Sequence, residues 1–222
     1  MTLIPPSFVI AIDGPAASGK GTLSRRLARH YGFAHLDTGA LYRATGRDVL
    51  AAGFDPGDPY VAARIAAALD PASFDDPGLR VEAVGEAASI VAAHGGVRSA
   101  LLELQRRFAA TPPGGLAGAV LDGRDIGTVV CPQAAVKFFV TASPEVRARR
   151  RVLELEGRGL PADEAAIRAD LVVRDARDSE RAEAPLRPAG DAILLDTSAL
   201  DADAVFAAAR AVVDQRLFAK PE

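Results

Sequence analysis

The stretch Phe8-Val9-Ile10-Ala11-Ile12-Asp13 runs directly into Gly14-Pro15-Ala16-Ala17-Ser18-Gly19-Lys20-Gly21-Thr22, and a helical pattern continues from Thr22 to Tyr31. An apolar strand, a glycine-rich turn and a helix in that order are the context a phosphate-binding loop requires. Glycines let backbone N–H groups turn inward onto anionic oxygens. The helix behind them aims its positive N-terminal end at the same oxygens. Lys20 adds a mobile full charge. Of 26 basic residues only Lys20, Lys137 and Lys220 are Lys, and the rest are Arg. In a chain that otherwise uses Arg, a Lys at this position marks a chemical requirement. Residues 14–22 therefore form the predicted site for a nucleotide triphosphate.

The commonest form of this loop has Ser or Thr immediately after the Lys. Here Gly21 intervenes and Thr22 follows, giving Gly-Lys-Gly-Thr. That variant is typical of kinases acting on small molecules and nucleotides, so γ-phosphoryl transfer to a small acceptor is expected.

Outward from the loop, four more short apolar runs read as parallel strands: Phe33–Leu36, Ala119–Leu121, Val136–Val140 and Ala192–Leu195. With Phe8–Ile12 they make five buried strands alternating with helical patterns, an α/β fold with a parallel sheet and helices on both faces. Val205, Phe206, Ala209, Val212, Val213 and Leu217 share one face of a closing helix. Two stretches break the alternation. Gly53 to about Val97 carries the breaks Asp55-Pro56-Gly57, Asp58-Pro59, Asp70-Pro71 and Asp76-Pro77-Gly78 around short helical pieces, and reads as an insertion. Gly157-Arg158-Gly159-Leu160-Pro161 lies between two Arg-rich helices and reads as the tip of a helical hairpin, a lid. One domain follows, with core over 7–52, 98–156 and 182–222, an insertion at about 53–97, and a lid at about 157–163 within 147–181.

At 222 residues the chain can bury a full core, and 49% apolar with 25% charged residues is ordinary for a soluble globular protein. No apolar run reaches membrane-spanning length. Met1–Ser7 has no basic segment before an apolar one, so no signal peptide is expected. The single Cys131 excludes an internal disulfide and fits a reducing, cytoplasmic setting, with the thiol acting as a small hydrophobe. A net charge of −3 and 5% aromatics argue against nucleic-acid binding. Positive charge must then be local.

Candidate anion sites follow the later strands. Asp37-Thr38-Gly39-Ala40-Leu41-Tyr42-Arg43 offers a hydroxyl, a new helix and an Arg at the edge where open α/β sheets bind ligands. A simple helix cap at Asp37 or Thr38 reads equally well. Asp122-Gly123-Arg124-Asp125 could orient the waters of Mg²⁺ and read an acceptor group, or form a plain Asp-Gly turn. On the helix from Asp163 to about Arg181, the stripe Ile167, Leu171, Arg174, Asp178, Arg181 begins apolar and ends charged. Such a stripe fits a ligand-facing edge, with a surface Arg174–Asp178 pair as the alternative. Arg147, Arg149, Arg150 and Arg151 open the lid hairpin and Arg158 tops it, where Arg forks can stabilise phosphoryl oxygens.

Together GPAASGKGT (14–22), DTGALYR (37–43), AASIVAAHGGVR (87–98), LLELQRRFA (101–109), DGRDIGTVV (122–130) and RDARDSERAEAPL (174–186) resemble the bacterial cytidylate kinases, within the nucleoside monophosphate kinases. The resemblance covers most of the chain in order. It implies a five-stranded P-loop fold with a lid and an acceptor-binding insertion, and transfer from ATP to CMP or dCMP with Mg²⁺. By resemblance, Thr38 and Arg43 hold the acceptor phosphate, and Ser89, Arg98 and Asp125 read cytosine. Arg174 and Asp178 meet ribose and phosphate, and Arg181 meets the acceptor phosphate. Catalysis would fall to Lys20 and Arg181, and the lid arginines would be Arg151 and Arg158. The residues that ligate a metal are left open. A monomer is expected. One departure stands out: Leu69 to Val84 is shorter than the family's usual insertion and shows no strand pair, which implies a simpler base pocket. The competing readings are a uridylate, adenylate or dephospho-coenzyme A kinase, or a nucleotide-dependent switch. Against a GTPase switch, no Asn-Lys-x-Asp guanine motif is present.

Overall fold

A computed structural model describes residues 8–69 and 76–218, so the predicted Asp70-Pro71 break lies outside the described residues. Five strands, β1 (Phe8–Asp13), β2 (Ala34–Asp37), β3 (Gly118–Gly123), β4 (Val136–Thr141) and β5 (Ile193–Asp196), form one parallel sheet in the order β2-β3-β1-β4-β5. The pairing register places Ile12 beside Asp122 and Asp37 beside Asp122. Carboxylates at the ends of β1, β2 and β3 thus crowd one sheet edge, next to the glycine loop.

Among the described residues eight α-helices cover the sheet and extend from it: α1 (Lys20–Tyr31), α2 (Thr38–Ala51), α3 (Pro59–Ala67), α4 (Glu82–Val91), α5 (Gly95–Ala110), α6 (Pro144–Glu156), α7 (Glu164–Glu180) and α8 (Ala202–Leu217). Strand alternation divides the core. Ile10, Ile12, Val120 and Phe138 face one side and pack with Leu23 and Leu27 of α1 and with Val205, Ala209 and Val213 of α8. Ala11, Ala119 and Leu121 face the other side, toward Ala109 of α5 and Ile126. Phe138, Ile10, Ile12 and Leu27 are fully buried, each contributing about 1.5–3 kcal/mol. Asp58, Ser143, Asp163 and Asp201 cap α3, α6, α7 and α8 by accepting first-turn N–H groups.

All five predicted strands are present to within a residue or two. One expectation fails: β5 is not buried. Leu194 is 63% exposed while Leu195 packs on the core shared with α8, so one face of this outer strand is covered and the other is open. The described part of the insertion is helical. A Cβ on Gly46 of α2 would lie 2.8 Å from the backbone N of Ala88, so this glycine lets α4 lie directly on α2 and brings Ser89 toward the crevice. After β3 the chain enters a single π-helical turn, Ile126–Val130, to which the sequence pattern assigned no element. Asp13 holds it: its carboxylate accepts from the N–H groups of Ile126 (2.7 Å) and Gly127 (2.8 Å). Helices α6 and α7 form the predicted hairpin around Ala148, Leu155, Ile167 and Leu171.

Candidate active site

The loop after β1 has the geometry of an anion nest. Gly14 sits at φ +153° and Gly19 at +93°, with Ala17 also left-handed at +57°. Gly19 caps α1 without any side-chain acceptor, so the first N–H groups of α1 stay open for an anion. Ser18 is fully buried, and its hydroxyl has no hydrogen-bond partner among the described residues. Lys20 donates from Nζ to the Pro15 carbonyl at 3.1 Å. Lys20 is half-buried, and packing of protein around its ammonium first, then the charge of Arg124, pushes its pKa down to about 7. The loop is held from behind. Arg150 donates to the Ser18 carbonyl (3.3 Å) and to Thr197 Oγ1 (2.8 Å), and Arg147 donates to the Ala16 carbonyl (3.3 Å).

Beside the loop lies a cluster of four arginines from α2, the exit of β3, and α7 with its cap. Arg43 of α2 donates to Asp37 Oδ2 at 2.7 Å. Arg124, at the exit of β3, donates to Asp178 Oδ2 of α7, also at 2.7 Å. Arg174 and Arg181 complete the group. Nε of Arg43, Nε of Arg174, and Nε and Nη2 of Arg181 are buried and have no partner among the described residues. Buried guanidinium N–H groups without acceptors are costly, so these four nitrogens specify an anionic ligand. Burial, together with the charge of Arg124, pushes Arg174 down to about 10. Burial also tends to raise the Asp178 carboxyl, but Arg124, Arg174 and Arg181 outweigh it and hold the pKa below the usual carboxylate range.

A separate cavity of about 260 Å³ opens between α5 and the segment after α7. Tyr42, Arg98, Gln105, Asp125 and Glu183 supply its polar lining. Arg98 and Asp125 form a buried ion pair there. The pairing fixes the polar atoms of both in the cavity wall.

The structure gathers most of the predicted site. Residues 14–22 form the loop, and the Arg174–Asp178–Arg181 stripe faces the arginine cluster. Arg181 itself is the residue capping α7 rather than part of the helix. Thr38 is buried, but its hydroxyl donates to the Asp122 carbonyl at 2.8 Å, which leaves the N-terminal N–H groups of α2 as the donors there. Ser89 is buried on α4 and accepts from Arg177 at 2.9 Å; it does not line the Arg98 cavity. Arg151 pairs with Glu154 at 2.9 Å, and Arg158 stands exposed at the hairpin tip. Sequence reasoning missed Arg124 and Arg177 as individual contributors, and it read Arg147 and Arg150 as phosphate-facing lid residues where the structure has them bracing the glycine loop through the Ala16 and Ser18 carbonyls. Arg124 carried a signal within the Asp-Gly-Arg-Asp segment. Arg177 lies off the stripe, and only tertiary packing reveals it.

Among the described residues no three acidic, His or Cys side chains converge as a metal cage. A Mg²⁺ ion that travels with phosphates needs fewer, keeping waters and one or two carboxylates. Asp122 fits that role. It is buried, its Oδ2 accepts from His35 Nε2 (2.8 Å), and its Oδ1 lies 3.8 Å from where a Cβ on Gly21 would lie.

The parallel sheet, the glycine loop at its edge and the flanking helices define a P-loop protein of the nucleoside monophosphate kinase type. A solved structure of an uncharacterised protein from Eubacterium ventriosum shares this fold, with a TM-score of 0.54 and 18% identity over 95% of this chain and 99% of that one. The family model for cytidylate kinase matches residues 10–215. Cytidylate kinases of Rhodopseudomonas palustris strain BisA53 and of Xanthobacter autotrophicus are each 62% identical, covering 93% and 94% of this chain and 96% and 98% of their own lengths. The chain belongs to the cytidylate kinase family.

Proposed function

We propose that this protein transfers the γ-phosphoryl group of ATP to CMP or dCMP, giving ADP and CDP or dCDP. The observation that carries the reading is the pairing of an open anion nest at 14–22 with a second set of unsatisfied buried guanidinium nitrogens on Arg43, Arg174 and Arg181. Two anion-binding sites side by side suit transfer between two phosphates. Family membership supplies the acceptor base.

No covalent intermediate is needed, so the protein's contribution is positioning and electrostatic stabilisation. The loop amides and Lys20 hold the triphosphate. Arg43 and the first N–H groups of α2 hold the acceptor phosphate, with Arg181 at its reacting side. Arg174 and Asp178 meet ribose and phosphate. Arg98 and Asp125, which line the cavity, read the base, and Ser89 joins them by resemblance to the family alone, since it lies outside that lining. Charge spreads over the transferred oxygens in the transition state, and the clustered arginines are already in place to meet it. Mg²⁺ would neutralise the β- and γ-phosphates when bound, with Asp122 its candidate carboxylate. The chain works as one domain, with residues 53–97 closing on the acceptor and the hairpin at 147–181 acting as a lid. Arg151 and Arg158 of that lid would exclude water, which would otherwise accept the phosphoryl group. No described helix is long and apolar enough to cross a membrane. A monomer in the cytoplasm fits this reading.

An ADP-release assay across all nucleoside monophosphates tests it. CMP and dCMP should be the best acceptors, UMP weaker, and AMP and GMP poor. A preference for a purine acceptor overturns the assignment.

A further inference from the structure

Arg147 stands in the first turn of α6, is 3% exposed, and reaches three separate parts of the chain. Its Nε donates to the Ala142 carbonyl just past β4 (3.0 Å), and its Nη1 donates to the Ala16 carbonyl inside the glycine loop (3.3 Å). The same guanidinium forks onto Asp175 of α7, Nη1 to Oδ1 at 3.1 Å and Nη2 to Oδ2 at 2.5 Å. Four of its N–H groups are thus engaged by protein acceptors, unlike the open nitrogens of Arg43, Arg174 and Arg181. Arg147 belongs to the frame of the site and not to its ligand contacts.

Two of these contacts act on the two anion sites. A trans peptide points its C=O and the following N–H in opposite directions. Holding the Ala16 carbonyl toward α6 therefore turns the Ala17 N–H away from the hairpin, at a residue whose φ of +57° persists only when its surroundings impose it. Ala16 is fastened a second time, because it packs on the apolar cluster of Ala148, Leu155, Ile167 and Leu171 between α6 and α7. On α7, Asp175 directly follows Arg174 and lies about one turn before Asp178, so the fork fixes the stretch of helix that carries the arginine cluster. Arg147 and Asp175 both lie at the base of the helical hairpin, far along the chain from its tip at 157–161.

We propose that Arg147 is a positioning residue for the transfer step: through Ala16 and Asp175 it sets the spacing between the glycine loop and the arginines of α7, and so the alignment of the two reacting phosphates. The proposal rests on the reading of the protein as a kinase that joins two phosphate groups. Attack needs the reacting atoms about 3–3.5 Å apart, and a misplacement of about 1 Å can cost on the order of 10²-fold in rate. Each site keeps its own ligand contacts when the tie is cut at Asp175, so the loss falls on transfer and not on binding.

The test uses the full-length protein with Asp175→Ala, Arg147→Met, Arg147→Lys and the Arg147→Met/Asp175→Ala double variant. Single-turnover transfer from ATP to CMP is measured beside the dissociation constant of each nucleotide, with thermal melts to establish folding. The Asp175 side chain is 26% exposed, so its variant carries the test even if Arg147→Met, which strands buried carbonyls, fails to fold. Asp175→Ala should slow transfer by about 10- to 100-fold while both dissociation constants stay within about threefold. Arg147→Met should slow it at least as much, Arg147→Lys less, and the double variant should be no worse than Arg147→Met alone, because both substitutions cut one tie. A lower melting temperature with unchanged transfer would make the tie structural only. A loss in Asp175→Ala confined to the binding of one nucleotide, or losses that multiply in the double variant, would equally overturn the proposal. If the wild-type protein prefers a different acceptor, the assignment of substrate fails separately, and the same comparison run with that acceptor still decides the role of Arg147.

Discussion

Asp178 is the shared counter-charge of the arginine cluster: Arg124 Nε lies 2.7 Å from its Oδ2, and Arg181 Nη1 lies 4.0 Å from its Oδ1. Removing that carboxylate leaves several buried cations facing one another. Asp178→Asn should therefore destabilise the unliganded protein at pH 7 by about 3–5 kcal/mol, the usual cost of breaking a buried pair. Because the native pKa of Asp178 is depressed, its contribution is complete above the unfolded carboxylate pKa and fades as pH falls through the lower native value. Urea unfolding of both proteins should show a wide gap at pH 7 that narrows by pH 3. A constant gap would mean that charge is not the cause.

Asp13 behaves in the opposite sense. Burial raises its pKa to about 6, against the lowering effect of the Gly127 and Ile126 N–H groups. A carboxylate with a raised native pKa adds stability below its unfolded pKa, and that stability is lost as pH rises through the native value. Between pH 4 and pH 7, wild type should lose roughly 2–3 kcal/mol relative to Asp13→Asn. Denaturant titrations at several pH values measure that difference. The variant should also loosen the π-helical turn, because an amide oxygen accepts where two carboxylate oxygens did, and hydrogen exchange at Ile126 and Gly127 should quicken.

Two glycines of similar appearance in the sequence should respond very differently to alanine. At Gly14 a Cβ would lie 2.0 Å from the Val140 carbonyl oxygen, at a φ of +153°. Gly14→Ala must displace the loop or β4, so nucleotide binding and much of the stability should be lost. Gly85, inside α4, meets nothing within 4 Å. Gly85→Ala should stabilise by about 0.5–1 kcal/mol and leave turnover unchanged. Thermal melts and nucleotide titration of the two variants test the contrast.

Lys20 should take up a proton when nucleotide binds. Its pKa near 7 in the free protein means that much of it is neutral at pH 8, whereas triphosphate oxygens favour the charged form. Calorimetry at pH 8 in buffers of different ionisation enthalpy should report uptake approaching one proton, falling toward none at pH 6. Lys20→Ala should abolish both the uptake and phosphoryl transfer while folding normally. Near-normal turnover in the folded variant would remove Lys20 from the mechanism.

The sheet was legible because its strands are apolar runs with punctuation, and Phe8–Asp13 is followed by a loop whose chemistry permits few alternatives. The stripe at 174, 178 and 181 was legible because helical periodicity brings those positions together. Arg177 was not, since it lies off that face and its partner Ser89 is distant in sequence. The π-helical turn at 126–130 was hidden for a related reason. It exists because Asp13, over a hundred positions away, supplies its acceptors, and no local propensity encodes that. The exposure of β5 depends on strand order, which a run of apolar residues does not reveal.

Arg181 should matter far more to kcat than to ATP binding. It caps α7 at the end of the stripe, its side chain is 5% exposed, and two of its nitrogens have no partner among the described residues. Its ion-pair partner is Asp178, which it shares with Arg124, and Asp125 attracts it more weakly. That leaves the guanidinium ready for a second anion, and the acceptor phosphate is the one whose charge changes most during transfer. An interaction strengthened only in the transition state appears in kcat. Losing one such donor typically costs on the order of 10²–10³ in rate, so Arg181→Ala should fall in that range with KM for ATP nearly unchanged. Arg187 provides the comparison. It is exposed and lines a different cleft with Lys137 and Asp191, away from the arginine cluster. Arg187→Ala should change kcat by less than about twofold, as surface substitutions usually do. Steady-state kinetics on the two variants decide between the roles: equal losses would make the effect one of general charge, and an unchanged kcat with raised KM for ATP in Arg181→Ala would move the residue to the donor side.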